Sequence, residues 1–111
     1  MPVAADLEWI RAAFRDQSYL LTTSGFAKMQ KKELSVEHIE EAIGRDSPEI
    51  VEDYPEDPRG SACLVLGWAD LVRPLHVVVG YGPPEESVIE VVTVYEPEAP
   101  EWYNPRMRGQ R

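Results

Sequence analysis

Residues 62–68 have the sequence ACLVLGW and residues 74–81 have the sequence PLHVVVGY, and these two segments decide the fold. Both are rich in the β-branched and large apolar side chains that favour β-strands. Only residues 69–73 connect them, which is too short for a crossover, so the two strands should pair antiparallel. Apolar side chains occupy consecutive positions in both segments. The sequence therefore predicts a central pair of strands with both faces covered.

Two further strands extend this pair. We place them at residues 49–54 and 87–96, because β-branched runs there alternate along the chain with turn residues. The connections at 55–61 and 82–86 are short and contain Pro and Gly, which mark turns. The sequence thus predicts a mostly antiparallel sheet of about four strands.

The segment before the sheet has helical periodicity and predicts about three helices. In residues 6–17 apolar side chains recur every three or four positions. Residues 23–32 follow capping hydroxyls and end on lysines, which suits a second helix. Ser35 caps a third helix, and Gly44 supplies its stop. We therefore predict a single α+β domain, residues 1–111, with N-terminal helices packed on the sheet.

The charge balance restricts the partners. Eleven basic residues against twenty acidic ones leave a net charge of −9, which repels phosphate backbones over most of the surface. General nucleic-acid binding is therefore disfavoured. Two basic groups are local exceptions that could each meet an acidic partner: Lys28, Lys31 and Lys32 in one segment, and Arg106, Arg108 and Arg111 near the C-terminus.

Targeting and cofactor motifs are absent from the sequence. Its longest apolar runs fall far short of the roughly 20 residues that cross a bilayer, and the N-terminus lacks the basic and apolar regions of a secretory signal. Phosphate-loop and dinucleotide motifs are missing, and Cys63 lies in an apolar run typical of a small buried hydrophobe. We expect a cytoplasmic protein with no cofactor and no membrane partner.

His38 is the first of two histidines. It lies three residues before Glu41, a spacing that places both on one helix face, as a metal pair requires. Acidic neighbours surround it on the face opposite the apolar stripe, so we favour a solvated histidine over a ligand. The acidic segment 46–57 lacks the ligand spacing of a calcium loop, and we interpret it as a solvated edge strand and loop. A metal-binding module that uses His38 and these carboxylates is the weakest functional hypothesis.

His76 is the more informative histidine because it interrupts an apolar strand. A buried imidazole needs a polar partner. Arg73, Tyr54 and Tyr95 could lie close on adjacent strands, and such a group could grip an anion or perform acid–base chemistry. The alternative, which we favour, is a hydrogen-bonded structural histidine.

The last segment, residues 97–111, contains three prolines and no period. Trp102 and Tyr103 are nevertheless too costly to leave wholly in water, so we expect this tail to pack back on the domain. Helices cover only one face of a sheet easily. The other face is therefore predicted to be a partner surface, for a protein partner or a homodimer.

Several segments, taken in order, form a distinctive pattern: a helix opening near Thr23, Ser35 to Ile39, Ile50 to Pro55, Leu64 to Gly67, Arg73 to Val79, and Val92 to Pro97 ahead of Trp102. This pattern resembles the family called domain of unknown function 4258. The resemblance covers about residues 19–102, with 103–111 as a C-terminal tail. Its specific parts are the Pro-Leu-His-Val-Val and Val-Tyr-Glu-Pro segments.

This resemblance implies a RelE-like domain, similar to the RelE/ParE-type and BrnT-type toxin superfamily, whose active members cut RNA or block gyrase. Family members usually carry a histidine at the start of the second helix, where this chain has Ser24 followed by Gly25. The leading hypothesis is accordingly a toxin-like domain without efficient catalysis that binds another protein, such as the product of an adjacent gene.

The alternative hypothesis is a toxin-type endoribonuclease, the one case in which nucleic acid would be a partner. In it His76 is the general acid or base, and Arg73 or Arg59 holds the phosphate. Tyr54 or Tyr95 orients that phosphate.

Overall fold

The helices lie in the N-terminal part of the chain, with one short strand between the first two, in the computed structural model, which describes residues 4–45, 47–69, 73–83, 87–98 and 101–109. The helices are α1 (Leu7–Arg15), α2 (Thr23–Lys31) and α3 (Val36–Glu40), and α3 continues as a π-helical turn, Glu41–Arg45. The strands are β1 (Tyr19–Leu21), β2 (Glu49–Tyr54), β3 (Ala62–Ala69), β4 (Arg73–Gly80), β5 (Ile89–Tyr95), β6 (Trp102–Asn104) and β7 (Met107–Arg108). The middle of two predicted connections, 70–72 and 84–86, lies outside the described residues, as do Asp46, Arg111 and the side chain of Tyr103. None of the described helices has the length and apolar character needed to cross a bilayer.

The main sheet has five strands in the order β1-β5-β4-β3-β2. Each strand from β2 to β5 pairs antiparallel with the next one along the chain. β1 pairs parallel with β5. The predicted α+β class is therefore confirmed, but the predicted count of about four strands is one too low. β1 was missed because its three residues, between two helices, are too few to show a period of two.

Side-chain caps fix where each helix begins. Asp6 accepts a hydrogen bond from the backbone N–H of Trp9, and Thr22 accepts one from Gly25. The Thr22 hydroxyl also donates to the carbonyl oxygen of Val91 at 2.9 Å, which ties the start of α2 to β5. This second bond positions α2 against the sheet.

Two glycines allow helices to approach the sheet closely. A Cβ at Gly67 in β3 would lie 2.3 Å from the carbonyl oxygen of Ala42 in the π-helical turn. A Cβ at Gly25 in α2 would lie 2.7 Å from the carbonyl oxygen of Val91. Both distances are far below van der Waals contact, so these positions require glycine. Gly25 is thus explained by helix–sheet packing.

The main core lies between the helices and one face of the sheet. Its fully buried side chains come from α1, α3, the π-helical turn and the inward positions of β3, β4 and β5: Ile10, Phe14, Ile39, Ile43, Val65, Leu75, Val77, Val79, Ile89, Val91 and Val94. Cys63 is buried among them, and burial raises the pKa of its thiol to about 12. The predicted role of Cys63 as a buried hydrophobe is confirmed.

The opposite, helix-free face is partly covered by a C-terminal hairpin formed by β6 and β7. Leu66 and His76 point to this face, yet both are fully buried. Trp102 of the hairpin is only 4% exposed. The tail therefore packs back on the domain as predicted. The hairpin itself was not predicted, because the three prolines of the tail argue against strands.

Candidate binding face around His76

Both ring nitrogens of His76 have hydrogen-bond partners. Nε2 lies 2.7 Å from the carbonyl oxygen of Pro105, between β6 and β7. A carbonyl oxygen can only accept, so Nε2 carries the proton. Nδ1 of the neutral ring is then an acceptor, and the Tyr95 hydroxyl, 3.2 Å away, donates to it. One tautomer therefore satisfies the whole buried ring.

Aromatic contacts enclose the same imidazole. The Trp102 ring stands edge-on to it, with centroids 4.3 Å apart and planes at 84°. Tyr95 lies at 5.2 Å and 73°. Burial lowers the pKa of His76, partly opposed by its bond to Pro105, so the ring is neutral at pH 7. Burial also raises the pKa of Tyr95, while a hydrogen bond from Trp102 to its oxygen acts in the opposite direction.

The acidic edge strand β2 supplies the second part of this face. Arg108 donates from Nε and an Nη to the two carboxylate oxygens of Glu52, at 2.8 and 2.7 Å. Arg106 donates from Nε to one carboxylate oxygen of Glu49. The Arg108 guanidinium also lies 4.6 Å from the Trp102 ring centroid, a cation–π contact. The hairpin is thus held by two ion pairs beside one buried indole.

These contacts shift the titration of Glu52 and Tyr54. The hydrogen bond from Arg108 lowers the pKa of Glu52. Tyr54 donates its hydroxyl proton to Glu52, and this bond raises the pKa of Tyr54. Glu52 therefore remains a carboxylate well below neutral pH and anchors both side chains.

We call the surface formed by Glu49, Glu52, His76 and Tyr95 the hairpin-covered face. Of the residues predicted to gather around His76, Tyr95 contacts it directly. Tyr54 reaches the same surface through Glu52, which it shares with Arg108.

Arg73 lies elsewhere. Strand alternation places it on the helix side of β4, where its guanidinium lies 2.8 Å from Glu96. Arg59, the other predicted phosphate ligand, pairs with Asp57 in the turn after β2. The arginines that lie on the face with His76 are instead Arg106 and Arg108.

Sequence reasoning missed that the acidic β2 segment and the basic tail bind each other. The sequence predicts a solvated edge for the β2 segment. It predicts, separately, that the basic tail could meet an acidic partner. The signal in the sequence is charge complementarity: Glu49 and Glu52 carry charge opposite to Arg106 and Arg108. Because 57 and 56 residues separate the pairs along the chain, periodicity could not reveal the match.

His38 has a local structural role. It forms a capping box with Ser35: the Ser35 hydroxyl accepts from the His38 backbone N–H, and His38 Nδ1 accepts from the Ser35 backbone N–H at 3.1 Å. Among the described residues, His, Cys, Asp and Glu side chains nowhere gather in threes that could hold a metal ion. The metal-binding hypothesis therefore has no geometric support among these residues.

Among the described residues, the hairpin leaves another part of the helix-free face exposed. A groove of about 690 Å³ lies beside the hairpin-covered face, over the β1 side of the sheet and the turn before β3. Leu20 and Val88 on its wall are 54% and 50% exposed. We call this surface the open groove; its side chains include Leu20, Val78, Val88, Glu90, Val92 and Thr93.

These features define an α+β domain whose helix-free sheet face is divided between a hairpin-covered face and an open groove. The chain belongs to the family described as domain of unknown function (DUF4258), whose model matches residues 21–96. The predicted family is thereby confirmed. No curated protein and no solved structure matches the chain at significant similarity. The family match ends before the hairpin, so Trp102, Arg106 and Arg108 lie beyond the matched segment.

Proposed function

We propose that this protein is a toxin-like, protein-binding domain without efficient catalysis, and that it binds its partner through the open groove. The kinship with RelE/ParE-type and BrnT-type toxins is part of this proposal. The observation that carries it is the contrast within one sheet face. His76, the best candidate for catalysis, is 0% exposed, whereas the neighbouring groove presents half-exposed apolar side chains.

The contacts of His76 argue against a catalytic role. A general acid or base must reach the proton it transfers, directly or through one water. Both nitrogens of His76 are already bonded, to Tyr95 and to Pro105, and Trp102 packs on the ring. The ring is thus better suited to fixing the hairpin than to meeting a substrate.

The charge and the groove together indicate the chemistry of the partner. Leu20 and Val88 offer apolar contact, and Glu90 adds a carboxylate to the same wall. With a net charge of −9, the protein attracts a basic segment and repels a second copy of itself. We therefore infer a separate protein that presents apolar and basic side chains, and the product of an adjacent gene is the first to test.

The test is co-expression with that gene product, followed by size-exclusion chromatography with light scattering. A complex should form with the wild-type chain and be lost in Leu20→Lys and Val88→Lys, which place cations where the basic partner docks. Phe26→Lys is the matched control, because Phe26 is 51% exposed but lies on α2, outside the groove. A wild-type chain that stays strictly monomeric with its neighbour present, or a complex insensitive to both groove variants, contradicts the proposal.

The toxin-type endoribonuclease is the second candidate. The observation that favours it is the contact between His76 and Tyr95, a donor–acceptor pair of the kind that acid–base catalysis uses. It would require the hairpin to move away, and Arg108 would replace Arg73 as the nearest cation. Expression of this enzyme should arrest growth and degrade RNA, and His76→Ala should abolish both. Equal growth and intact RNA for wild type and variant reject it.

A further inference from the structure

The C-terminal hairpin contacts the sheet as a bound peptide does. Its residues follow the end of the family match at residue 96, and the strands beneath it all belong to the matched segment. It buries one aromatic anchor, Trp102, and places two guanidinium groups on carboxylates of an edge strand. A buried anchor surrounded by polar contacts is the usual anatomy of a peptide-binding site.

We propose that the hairpin-covered face is a binding site for segments of other proteins that contain a tryptophan followed by arginines, and that the C-terminal hairpin occupies it in cis. This inference rests on the proposed protein-binding function and adds a second recognition position to it. The ligand pattern is that of Trp102, Arg106 and Arg108, with an aromatic residue and arginines four and six positions later.

Each part of the face selects one feature of that pattern. The wall formed by His76 and Tyr95 accepts an indole edge-on, and the Tyr95 oxygen accepts from it. His76 Nε2–H needs a backbone carbonyl, which Pro105 supplies. Glu52 offers two oxygens to one guanidinium, a fork geometry that arginine matches and lysine does not.

Trp102 supplies most of the hold of the cis occupant, because its ion pairs are exposed and its strands are short. The side chains of Arg106 and Arg108 are 55% and 57% exposed, and exposed ion pairs contribute little to stability. The hairpin strands contain three and two residues, too few for independent stability. Its advantage over a free peptide is mainly its tether, which gives an effective concentration in the millimolar range.

The test uses the full chain with a loosened hairpin. Arg106→Gln together with Arg108→Gln removes both ion pairs and leaves Trp102 in place; Trp102→Ala, made separately, removes the anchor. The probe is a fluorescein-labelled synthetic peptide with the sequence of residues 98–111, followed by fluorescence polarisation. Both loosened variants should bind it several-fold more tightly than wild type, with the larger gain in Trp102→Ala, because the cis competitor is weakened.

Matched changes identify the recognition. In the loosened background, Glu52→Gln should weaken peptide binding about tenfold, since it removes a charge-assisted acceptor. Glu37→Gln, at an exposed carboxylate of α3 outside both the hairpin-covered face and the open groove, should leave it unchanged. Peptides with Trp102→Ala or with lysine in place of Arg108 should bind at least about tenfold less.

Hydrogen exchange of residues 101–109 reports whether the hairpin has been released. Release without peptide binding overturns the proposal, and so does binding that ignores Glu52→Gln. Unchanged protection of the hairpin in both variants also overturns it, because the site must be able to exchange its occupant. These outcomes do not depend on the groove variants Leu20→Lys and Val88→Lys. A negative result for peptide binding therefore leaves the test of the proposed function unaffected.

Discussion

His76 Nε2 donates its proton to the carbonyl oxygen of Pro105 across 2.7 Å, joining the centre of β4 to the C-terminal hairpin. The Tyr95 hydroxyl donates to Nδ1 of the neutral ring, so protonation of Nδ1 would require this hydroxyl to rotate and accept instead. Glu52 and Arg108 flank the ring with opposite effects on its pKa, and burial prevails by lowering it. Burial of the ring therefore favours the neutral form, whereas the bond to Pro105 favours the protonated one.

A dependence of stability on pH follows. The pKa of His76 lies below its ordinary value in the folded state, so the unfolded chain binds a proton more readily. The free energy of unfolding should fall as pH decreases from about 6.5, the ordinary histidine value, towards the lower folded-state value. Urea denaturation between pH 8 and pH 5 measures it. His76→Gln should flatten the curve in this window, and a wild-type curve without slope refutes the idea.

The two ion pairs of the hairpin should differ in strength. Glu52 binds Arg108 through two oxygens and has a side chain only 20% exposed, whereas Glu49 meets Arg106 through one oxygen and is 43% exposed. Double-mutant cycles with glutamine should give coupling free energies of about 1 kcal/mol for the first pair and less than about 0.5 kcal/mol for the second. Both values are discounted for solvent screening, and both should shrink at 1 M salt. Equal couplings would show that bidentate geometry contributes nothing.

Most of the fold could be predicted because its signals are local. The apolar runs of β3 and β4, the caps before the helices and the short connections can each be recognised within a segment of about ten residues or fewer. The predicted span of β2, Glu49–Tyr54, is confirmed to the residue. By contrast, β1 exists only because it pairs with β5, from which 70 residues separate it in register. Such a long-range pairing leaves no trace in a three-residue segment.

The candidate site was only partly predictable for a similar reason. The contact between His76 and Tyr95 follows from the register of two neighbouring antiparallel strands, which strand length and turn position nearly determine. Strand alternation alone places Arg73 and His76 on opposite faces of β4. Arg73 could therefore have been excluded from the group around His76 on the sequence alone. Trp102 and Arg108 could not be placed, because a proline-rich tail gives no period by which to assign it to either face.

Gly67 offers a test of how closely the π-helical turn packs on β3. In Gly67→Ala the new methyl group would overlap the carbonyl group of Ala42, which is backbone and cannot rotate away. Overpacking of this kind should lower the free energy of unfolding by about 2–3 kcal/mol. Gly80→Ala is the control, since its Cβ meets side chains at ordinary distances of 3.5 Å or more. Chemical denaturation compares the two, and similar losses would show that the close approach carries no special cost.

Cys63 should be almost inert in the folded protein. The nucleophile in alkylation is the thiolate, and burial raises the pKa of this thiol to about 12, with a smaller contribution from the charge of Asp53. At pH 8 the thiolate fraction is then roughly a thousandfold below that of an unperturbed cysteine, and the 1% exposure of Cys63 slows reagent access further. Iodoacetamide labelling followed by mass spectrometry should show reaction in 6 M guanidinium chloride and essentially none under native conditions. Because Cys63 lies in β3, between β2 and β4, native labelling should pass through unfolding of the sheet, so its rate should rise strongly in Gly67→Ala and only slightly in the hairpin variant Arg108→Gln. Rapid native labelling, or acceleration by the hairpin variant alone, would mean that the central strands open without global unfolding.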